Sequence, residues 1–170
     1  MLNIFSRSGQ ISGKRSKVIS SGQSLFILSL LLVFASAKIY SRCELARTLK
    51  QFGLDGYYNY SLANWVCMAY YESRYNTAAI NHNKKHGKIW STDYGIFQIN
   101  SQWWCKDQQT KGGKNICKVQ CADLLNDYLG DDCRCAKIIV QASKGMKAWV
   151  GWKNHCKGRD VSYFVRGCRL

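Results

Sequence analysis

The chain has 170 residues, of which 25 are Lys or Arg and ten are Asp or Glu, giving a formal net charge of +15. The basic balance favours polyanionic partners, but the cations are dispersed and no groove-reading motif accompanies them, which argues against specific nucleic-acid binding. Nine cysteines, and the lack of proline, repeats or low-complexity segments after residue 37, indicate one compact unit.

The first 37 residues have the pattern of an export signal. Four basic residues and no acid precede the apolar run LFILSLLLVFASA at 25–37, which ends in small residues. We predict a signal peptide at 1–37, cleaved before Lys38 and directing secretion. The alternative is a membrane anchor through residues 25–37, but about 13 apolar residues fall short of the roughly 20 that span a bilayer.

Residues 38–170 form the predicted domain, which is long enough to bury its own core. They keep 21 of the 25 Lys and Arg and all ten acids, so the net charge of this part is +11. All nine cysteines lie here, and in an exported protein this density is typical of a disulfide framework. A four-thiolate zinc site is the alternative for four of them, Cys117, Cys121, Cys133 and Cys135.

Two helices are predicted in the first part of the domain. Ser41 and Glu44 fit a capping box, and apolar residues at helical spacing predict a first helix over about 41–52. Ser61 begins a second helix, in which Trp65 and Glu72 are seven residues apart and share the apolar face.

Glu72 therefore points to the interior or to a cleft at the end of the second helix. A buried carboxyl is costly unless it is paired or protonated, so its place on this face suggests a function. The alternatives are a satisfied buried ion pair and an exposed acid in the last turn.

Residues 89–99, IWSTDYGIFQI, mix β-branched and aromatic residues and predict short antiparallel strands. Helical patterns return in CRCAKIIVQAS, which ends before Gly145, and in MKAWVGWKNHC, which ends near Gly158. The predicted fold class is α+β, mostly helical with a small inserted sheet.

Two carboxyl groups thus stand in contrasted settings. Burial should raise the pKa of Glu72, whereas polar neighbours on a strand should keep Asp93 ionised. Glycoside hydrolysis needs such a contrast, because one carboxyl protonates the leaving oxygen and the other meets the cationic sugar. The adjacent Trp103 and Trp104, and also Trp149, suit stacking on sugars, although core packing is the alternative use of each.

Several long motifs carry a resemblance to c-type lysozymes. They are CELA at 43–46, YSLANWVCMAYYES at 60–73, STDYGIFQINSQWWC at 91–105 and the final helical segments, and together they cover essentially all of residues 38–170. The resemblance implies an α+β lysozyme fold, with a helical lobe, a small antiparallel β lobe, a cleft between them and four disulfides. The contrasted carboxyl pair is the established mechanism of lysozymes.

Specific residue roles follow from the resemblance. It makes Glu72 the general acid and base, and Asp93 the nucleophile or ion stabiliser, of a retaining glycosidase without a cofactor. The implied substrate-binding residues are Asn83, Gln98, Asn100, Trp103, Trp104, Ala148 and Trp149, with Ser91 also close to Asp93. The implied disulfides are Cys43 with Cys168, Cys67 with Cys156, Cys105 with Cys121, and Cys117 with Cys135.

The sequence also departs from the family pattern around the cleft. The segment between the two acids, NHNKKHGKIWSTD, is a few residues longer than usual, and the extra length is expected at a hairpin tip. Three residues at positions that often contact sugar or form the rim also differ from the family: Ala142, Lys144 and His155.

Three further features are specific to this sequence. Cys133 is the ninth cysteine and is expected to be an inert core residue, with mispairing or an intermolecular bridge as alternatives. Asn59-Tyr60-Ser61 is a glycosylation sequon. Residues 126–132, NDYLGDD, resemble a calcium loop, but Asn126 replaces an acid beside Asp131 and Asp132, so no metal is expected.

Two functions follow from the resemblance. The first is bacteriolytic hydrolysis of the β-1,4 bonds of peptidoglycan between N-acetylmuramic acid and N-acetylglucosamine by a monomer, helped by attraction to anionic bacterial surfaces. The expected binding partners are peptidoglycan or a chitin-like oligosaccharide. The second is glycan binding in gamete interaction without catalysis, as in sperm and acrosomal members of the family. Because both Glu72 and Asp93 are present, the enzyme is favoured.

Overall fold

The computed structural model describes residues 37–170, so nearly all of the predicted signal peptide lies outside the described residues. Four helices and three strands follow in chain order: α1 (Arg42–Gln51), α2 (Leu62–Ser73), β1 (Ile80–Lys85), β2 (Lys88–Tyr94), β3 (Ile99–Asn100), α3 (Gly130–Ala142) and α4 (Val150–His155). The predicted α+β class is confirmed. Across the described part, no helix has the length and apolar character needed to span a bilayer.

Helix α2 is the centre of the helical core. Seven of its residues, from Leu62 to Ala69, are buried, and the helix packs against α1 and α4. The Trp65 side chain is fully buried and makes edge-on contacts with the rings of Tyr60 and Trp149. Burial of this face holds α2 in place, so the last turn of the helix presents Glu72 from a rigid support.

The beginning of α1 differs from the predicted capping box. Ser41 occupies the N-cap position, but its side chain makes no capping hydrogen bond, and the Glu44 carboxylate is paired with the Lys38 ammonium. The pKa of the Glu44 carboxyl is lowered chiefly by the Lys38 ammonium and also by the Ser41 backbone N–H, so only the Ser41 side-chain half of the predicted capping box is missing. The Glu44 carboxylate pairs with a lysine that precedes the helix. The observed start of α1 at Arg42 is still within one residue of the predicted start.

The last predicted helix is broken by Trp149. Residues 146–148 form a short 3-10 turn, Trp149 has an extended backbone with φ −93° and ψ 118°, and α4 begins only at Val150. The Trp149 indole N–H donates to the Phe97 carbonyl at 2.8 Å, so a contact across the molecule accompanies the break. The prediction of one continuous helix over 146–156 was wrong because periodicity does not report such contacts.

The sheet has the order β1-β2-β3, and both pairs are antiparallel. His86 and Gly87 connect β1 and β2, and both have positive φ, as two-residue hairpin turns require. Strand pairing had been expected from Ile89 onward, but it begins at Ile80. The missed strand, INHNKK, is polar and exposed, so it lacks the alternation that marks a half-buried strand.

Four disulfides join Cys43 to Cys168, Cys67 to Cys156, Cys105 to Cys121 and Cys117 to Cys135. These pairs are the ones that the resemblance implies. Three of the four cysteines considered for zinc are in disulfides, so the zinc interpretation is wrong. Cys133 is free and buried, and burial raises the pKa of its thiol.

Candidate active site

A cavity of about 660 Å³ lies between the helices and the sheet. Its walls come from the end of α2, from β1, β2 and β3, from the segments just before and after β3, and from α3, α4 and the turn before α4. All nine residues predicted for catalysis and substrate binding line this cavity: Glu72, Asn83, Asp93, Gln98, Asn100, Trp103, Trp104, Ala148 and Trp149. Residues separated by up to 77 positions in sequence thus face one space.

Glu72 is half-buried at the C-terminal end of α2. Burial raises the pKa of its carboxyl, and the Asp93 charge raises it further, whereas the backbone N–H of Gly151 opposes the shift. That N–H donates to Oε1 of Glu72 at 2.9 Å. The carboxyl is therefore held in one orientation and stays protonated to a higher pH than an ordinary glutamate.

Gly151 allows α4 to approach Glu72 closely. A Cβ atom at this position would lie 2.8 Å from Oε1 of Glu72 and 3.1 Å from the Cβ of Tyr71. Any side chain would therefore displace the carboxyl. The glycine is required by the packing of α4 against the end of α2.

Asp93 accepts hydrogen bonds from two asparagine side chains. The Asn83 amide donates to Oδ2 at 2.8 Å, and the Asn100 amide donates to Oδ1 at 2.6 Å. The strand register explains this arrangement, since Asp93 pairs with Asn81 on one side and with Asn100 on the other. The two donors, one on each carboxyl oxygen, hold the Asp93 side chain in one orientation.

The amide groups of Gln98 and Asn100 are largely used within the protein. The Gln98 Nε2 donates to the carbonyls of Ala79 and Gly95, and its Oε1 accepts from Asn81. The Asn100 Nδ2 also donates to Ser91, and its Oδ1 accepts from the backbone N–H of Gln102. Both residues line the cavity, but their side chains mainly hold the strands and Asp93 in place.

The three predicted tryptophans differ in exposure. Trp103 is 43% exposed, and the Lys114 ammonium lies 4.7 Å from the centre of its ring. Trp104 is half-buried, and Trp149 is buried with its N–H bonded to Phe97. Trp103 therefore has the most ring surface available for stacking, while Trp149 forms a fixed wall.

The three substituted rim residues, Ala142, Lys144 and His155, are not among the residues that line this cavity. His155 instead stacks on Tyr71, with ring centroids 4.0 Å apart, beside a second cavity of about 540 Å³ behind α2. None of the three residues therefore belongs to the walls around Glu72 and Asp93.

The residues that resemble a calcium loop do not gather their oxygens. The Asn126 amide bonds with the backbone of Asp123 and Tyr128, and Asp131 pairs with Arg134. Asp132 is fully buried, and apart from its own backbone N–H no donor reaches either oxygen. Within residues 37–170, no three His, Cys, Asp or Glu side chains are grouped so as to hold a metal ion.

Four residues that line the cavity were not predicted from the sequence: Trp90, Ile99, Ile139 and Val150. Trp90 is the largest of them. In a regular strand, Trp90 would lie on the face opposite Ser91 and Asp93, so alternation alone would have placed it away from the site.

The chain is similar to known proteins over nearly all of the residues that the structure describes. Residues 38–168 match the model of the C-type lysozyme/alpha-lactalbumin family. The chain is 53% identical to "Lysozyme C" of Dromaius novaehollandiae over 141 residues, which are 83% of this chain and 93% of that protein. It is 53% identical to "Lysozyme C-2" of Sus scrofa over 150 residues, 87% and 99% of the two chains. It is 55% identical to "Lysozyme C" of Allenopithecus nigroviridis over 141 residues, 83% and 93% of the two chains.

Proposed function

Because this chain belongs to the C-type lysozyme/alpha-lactalbumin family, we propose that it is a bacteriolytic, retaining glycoside hydrolase. Its substrate is the β-1,4 bond between N-acetylmuramic acid and N-acetylglucosamine in peptidoglycan. One observation carries the proposal: a half-buried glutamic acid with a raised pKa and a hydrogen-bonded aspartate line the same cavity. This is the contrast of environments that the reaction needs.

In the first step, protonated Glu72 gives its proton to the glycosidic oxygen. The bond between that oxygen and C1 of the sugar breaks, and the leaving sugar departs with a hydroxyl group. Positive charge develops at C1 and is met by the Asp93 carboxylate, which forms a covalent bond to C1. Asn83 and Asn100 hold Asp93 in position while this charge develops.

In the second step, the Glu72 carboxylate removes a proton from a water molecule as its oxygen attacks C1. The bond from C1 to Asp93 breaks, the sugar is released with retained configuration, and Glu72 is protonated again. The Gly151 N–H contact supports this double role, because it orients the carboxyl in both protonation states.

The substrate is a glycan strand, bound along the cavity by stacking on Trp103 and Trp104. The net charge of +11 on residues 38–170 favours approach to an anionic bacterial surface. We propose that residues 1–37 are a cleaved signal peptide and that residues 38–170 act as a secreted monomer, since one chain supplies every wall of the cavity.

The test is clearing of a bacterial cell-wall suspension by the wild type and by Glu72→Gln. We expect the variant to lose about 10³-fold in turnover, as expected when a general acid is removed. Binding of a chitooligosaccharide should be retained, because Gln keeps the shape and an acceptor for the Gly151 N–H. Glu44→Gln is the matched control, since Glu44 is the other glutamate of the chain and forms only a surface ion pair.

Unchanged lysis by Glu72→Gln would contradict the assignment of the acid. A wild type that binds chitooligosaccharide but clears no cell walls would instead favour the glycan-binding function. Asp93→Asn should also reduce turnover with binding retained, and full activity of that variant would point to another second carboxylate.

A further inference from the structure

The β1–β2 hairpin contains an irregularity at the edge of the cleft. Asn83 pairs with Ser91 and Lys84 pairs with Ile89, so Trp90 has no partner on β1. Such a bulge changes the direction of the extra side chain. Trp90 consequently lines the same cavity as Asp93, although regular alternation would place these two residues on opposite faces of the sheet.

The indole of Trp90 is available to a ligand. It is 43% exposed, it forms no aromatic pair with any other described residue, and its N–H donates to no acceptor in the described part of the chain. Core packing therefore does not account for this tryptophan. A large aromatic side chain that lines a cleft without a protein partner is typical of a ligand contact.

Trp90 and Trp103 both line the cavity, and the side chain of each is 43% exposed. The chain turns directly after β3, where the backbone N–H groups of Trp103 and Trp104 both donate to the Asn100 carbonyl, and this turn brings Trp103 to the cavity wall. The two exposed indoles can contact sugar units in the same cleft.

The hairpin tip beside Trp90 is strongly basic. Lys84, Lys85 and Lys88 are all exposed, and no acid occurs between residues 80 and 92. A further cation, Lys114, lies over the ring of Trp103. Both indoles are thus accompanied by lysines, which suits a ligand that has an apolar sugar face and a negative charge.

We propose that Trp90 and these three hairpin lysines form an additional subsite for a saccharide unit that carries a carboxylate. Trp90 stacks on the pyranose ring, and the lysines attract the carboxylate of the sugar or of its substituent. The proposal rests on the proposed function, because it extends the same cleft. It makes the hairpin a determinant of preference for acidic over neutral glycans.

The experiment measures binding by titration calorimetry in the full secreted chain carrying Glu72→Gln, which prevents cleavage of the ligand. The probes are neutral chitotetraose, an N-acetylglucosamine–N-acetylmuramic acid tetrasaccharide, and the same tetrasaccharide with its stem peptide. The parent should bind the two acidic probes more tightly than chitotetraose, and this preference should weaken with salt. The two acidic probes separate a carboxylate on the sugar from one on the peptide.

Trp90→Ala should weaken binding of all three probes about tenfold, because one indole face no longer leaves water on binding. Trp90→Phe should lose less. Ile89→Ala is the matched control, since Ile89 is also 43% exposed but does not line the cavity, and its affinities should stay within about twofold of the parent. Trp90→Ala affinities equal to those of Ile89→Ala would overturn the stacking role.

Replacing Lys84, Lys85 and Lys88 by Ser should remove the preference for the acidic probes while leaving chitotetraose binding unchanged. The matched control replaces Lys50, Lys153 and Lys157, which are exposed and do not line the cavity. Equal loss for neutral and acidic probes, or equal effects of the two triple variants, would overturn the charge role. Loss of all binding in the Glu72→Gln parent would overturn the proposed function as well, whereas failure of the hairpin variants alone would leave that function intact.

Discussion

Two carboxyl groups in this molecule have their pKa raised chiefly by burial, and they lie in different surroundings. Glu72 is half-buried, receives a hydrogen bond from Gly151 and lines the cavity. Asp132 is fully buried near the start of α3, has no donor beyond its own backbone N–H, and lines none of the cavities described above. A raised pKa by itself therefore does not identify a catalytic acid.

Glu72 differs from Asp132 in two ways: a ligand in the cavity can reach its carboxyl, and the Gly151 N–H holds that carboxyl in one orientation. A proton can move from Glu72 to a ligand in the cleft, whereas the region around Asp132 is closed. Gly95 packs against Asp132 so closely that a Cβ at Gly95 would lie 3.0 Å from Oδ1 and 2.1 Å from the Leu124 carbonyl oxygen. Asp132 is therefore expected to affect stability, and Glu72 to affect the reaction.

The largest expected effect is on the pH dependence of lysis. Glu72 must enter the reaction protonated, so activity should be present below its raised pKa and should fall about tenfold per pH unit above it. Asp132→Asn should leave this alkaline limb at the same pH, because Asp132 does not reach the cleft. Rates of cell-wall clearing across the pH range, measured for both proteins, check this. If Asp132→Asn changed the pH at which activity falls, the distinction between the two acids would be lost.

The next effect is on folding stability. The pKa of Asp132 is raised on folding, so ionisation opposes folding as pH rises from the unfolded pKa toward the folded one. Asp132→Asn keeps the shape and removes the charge, and should stabilise the protein by about 2 kcal/mol at neutral pH. The gain should vanish below about pH 4, where the acid is protonated in both states.

Denaturant unfolding at pH 3 and pH 7 measures this difference. Asp131→Asn is the control, since Asp131 is a surface neighbour paired with Arg134 and its removal should change stability by less than about 1 kcal/mol. An Asp132→Asn gain that is the same at both pH values would show that the charge of Asp132 is not what costs stability.

A smaller effect is expected from Gly151→Ala. The added Cβ should displace the Glu72 carboxyl and remove its donor, reducing turnover by about tenfold. Because the Gly151 N–H favours the ionised form, its loss should also move the alkaline limb to higher pH. Asn154→Ala, on the exposed part of α4, is the control. If Gly151→Ala reduced the rate but left the pH at which activity falls unchanged, Gly151 would act only through packing.

Local patterns in the sequence predicted much of the fold. Apolar spacing located α1, α2 and α3 within a few residues and placed Glu72 on the apolar face of α2, because helical periodicity depends only on neighbours along the chain. The residues that line the cleft came from the resemblance to lysozymes. The four disulfide pairs could not come from spacing, since eight cysteines allow about 105 pairings.

Other features depend on contacts between distant segments and left no local signal. Strand β1 is polar, so its pairing with β2 was not visible, and the bulge that turns Trp90 into the cleft exists only once the two strands pair. Likewise, the break at Trp149 and the donor that Gly151 offers to Glu72 both arise where the end of the chain docks on α2 and on the segment containing Phe97.

Residue type and periodicity are local properties, and they were enough to predict the fold class and the two contrasted carboxyl groups. The groups that surround each carboxyl, and so the buried acid that can exchange a proton with a ligand, could be identified only from the folded chain. Burial, hydrogen bonding and access to the cleft depend on segments that are far apart in the sequence.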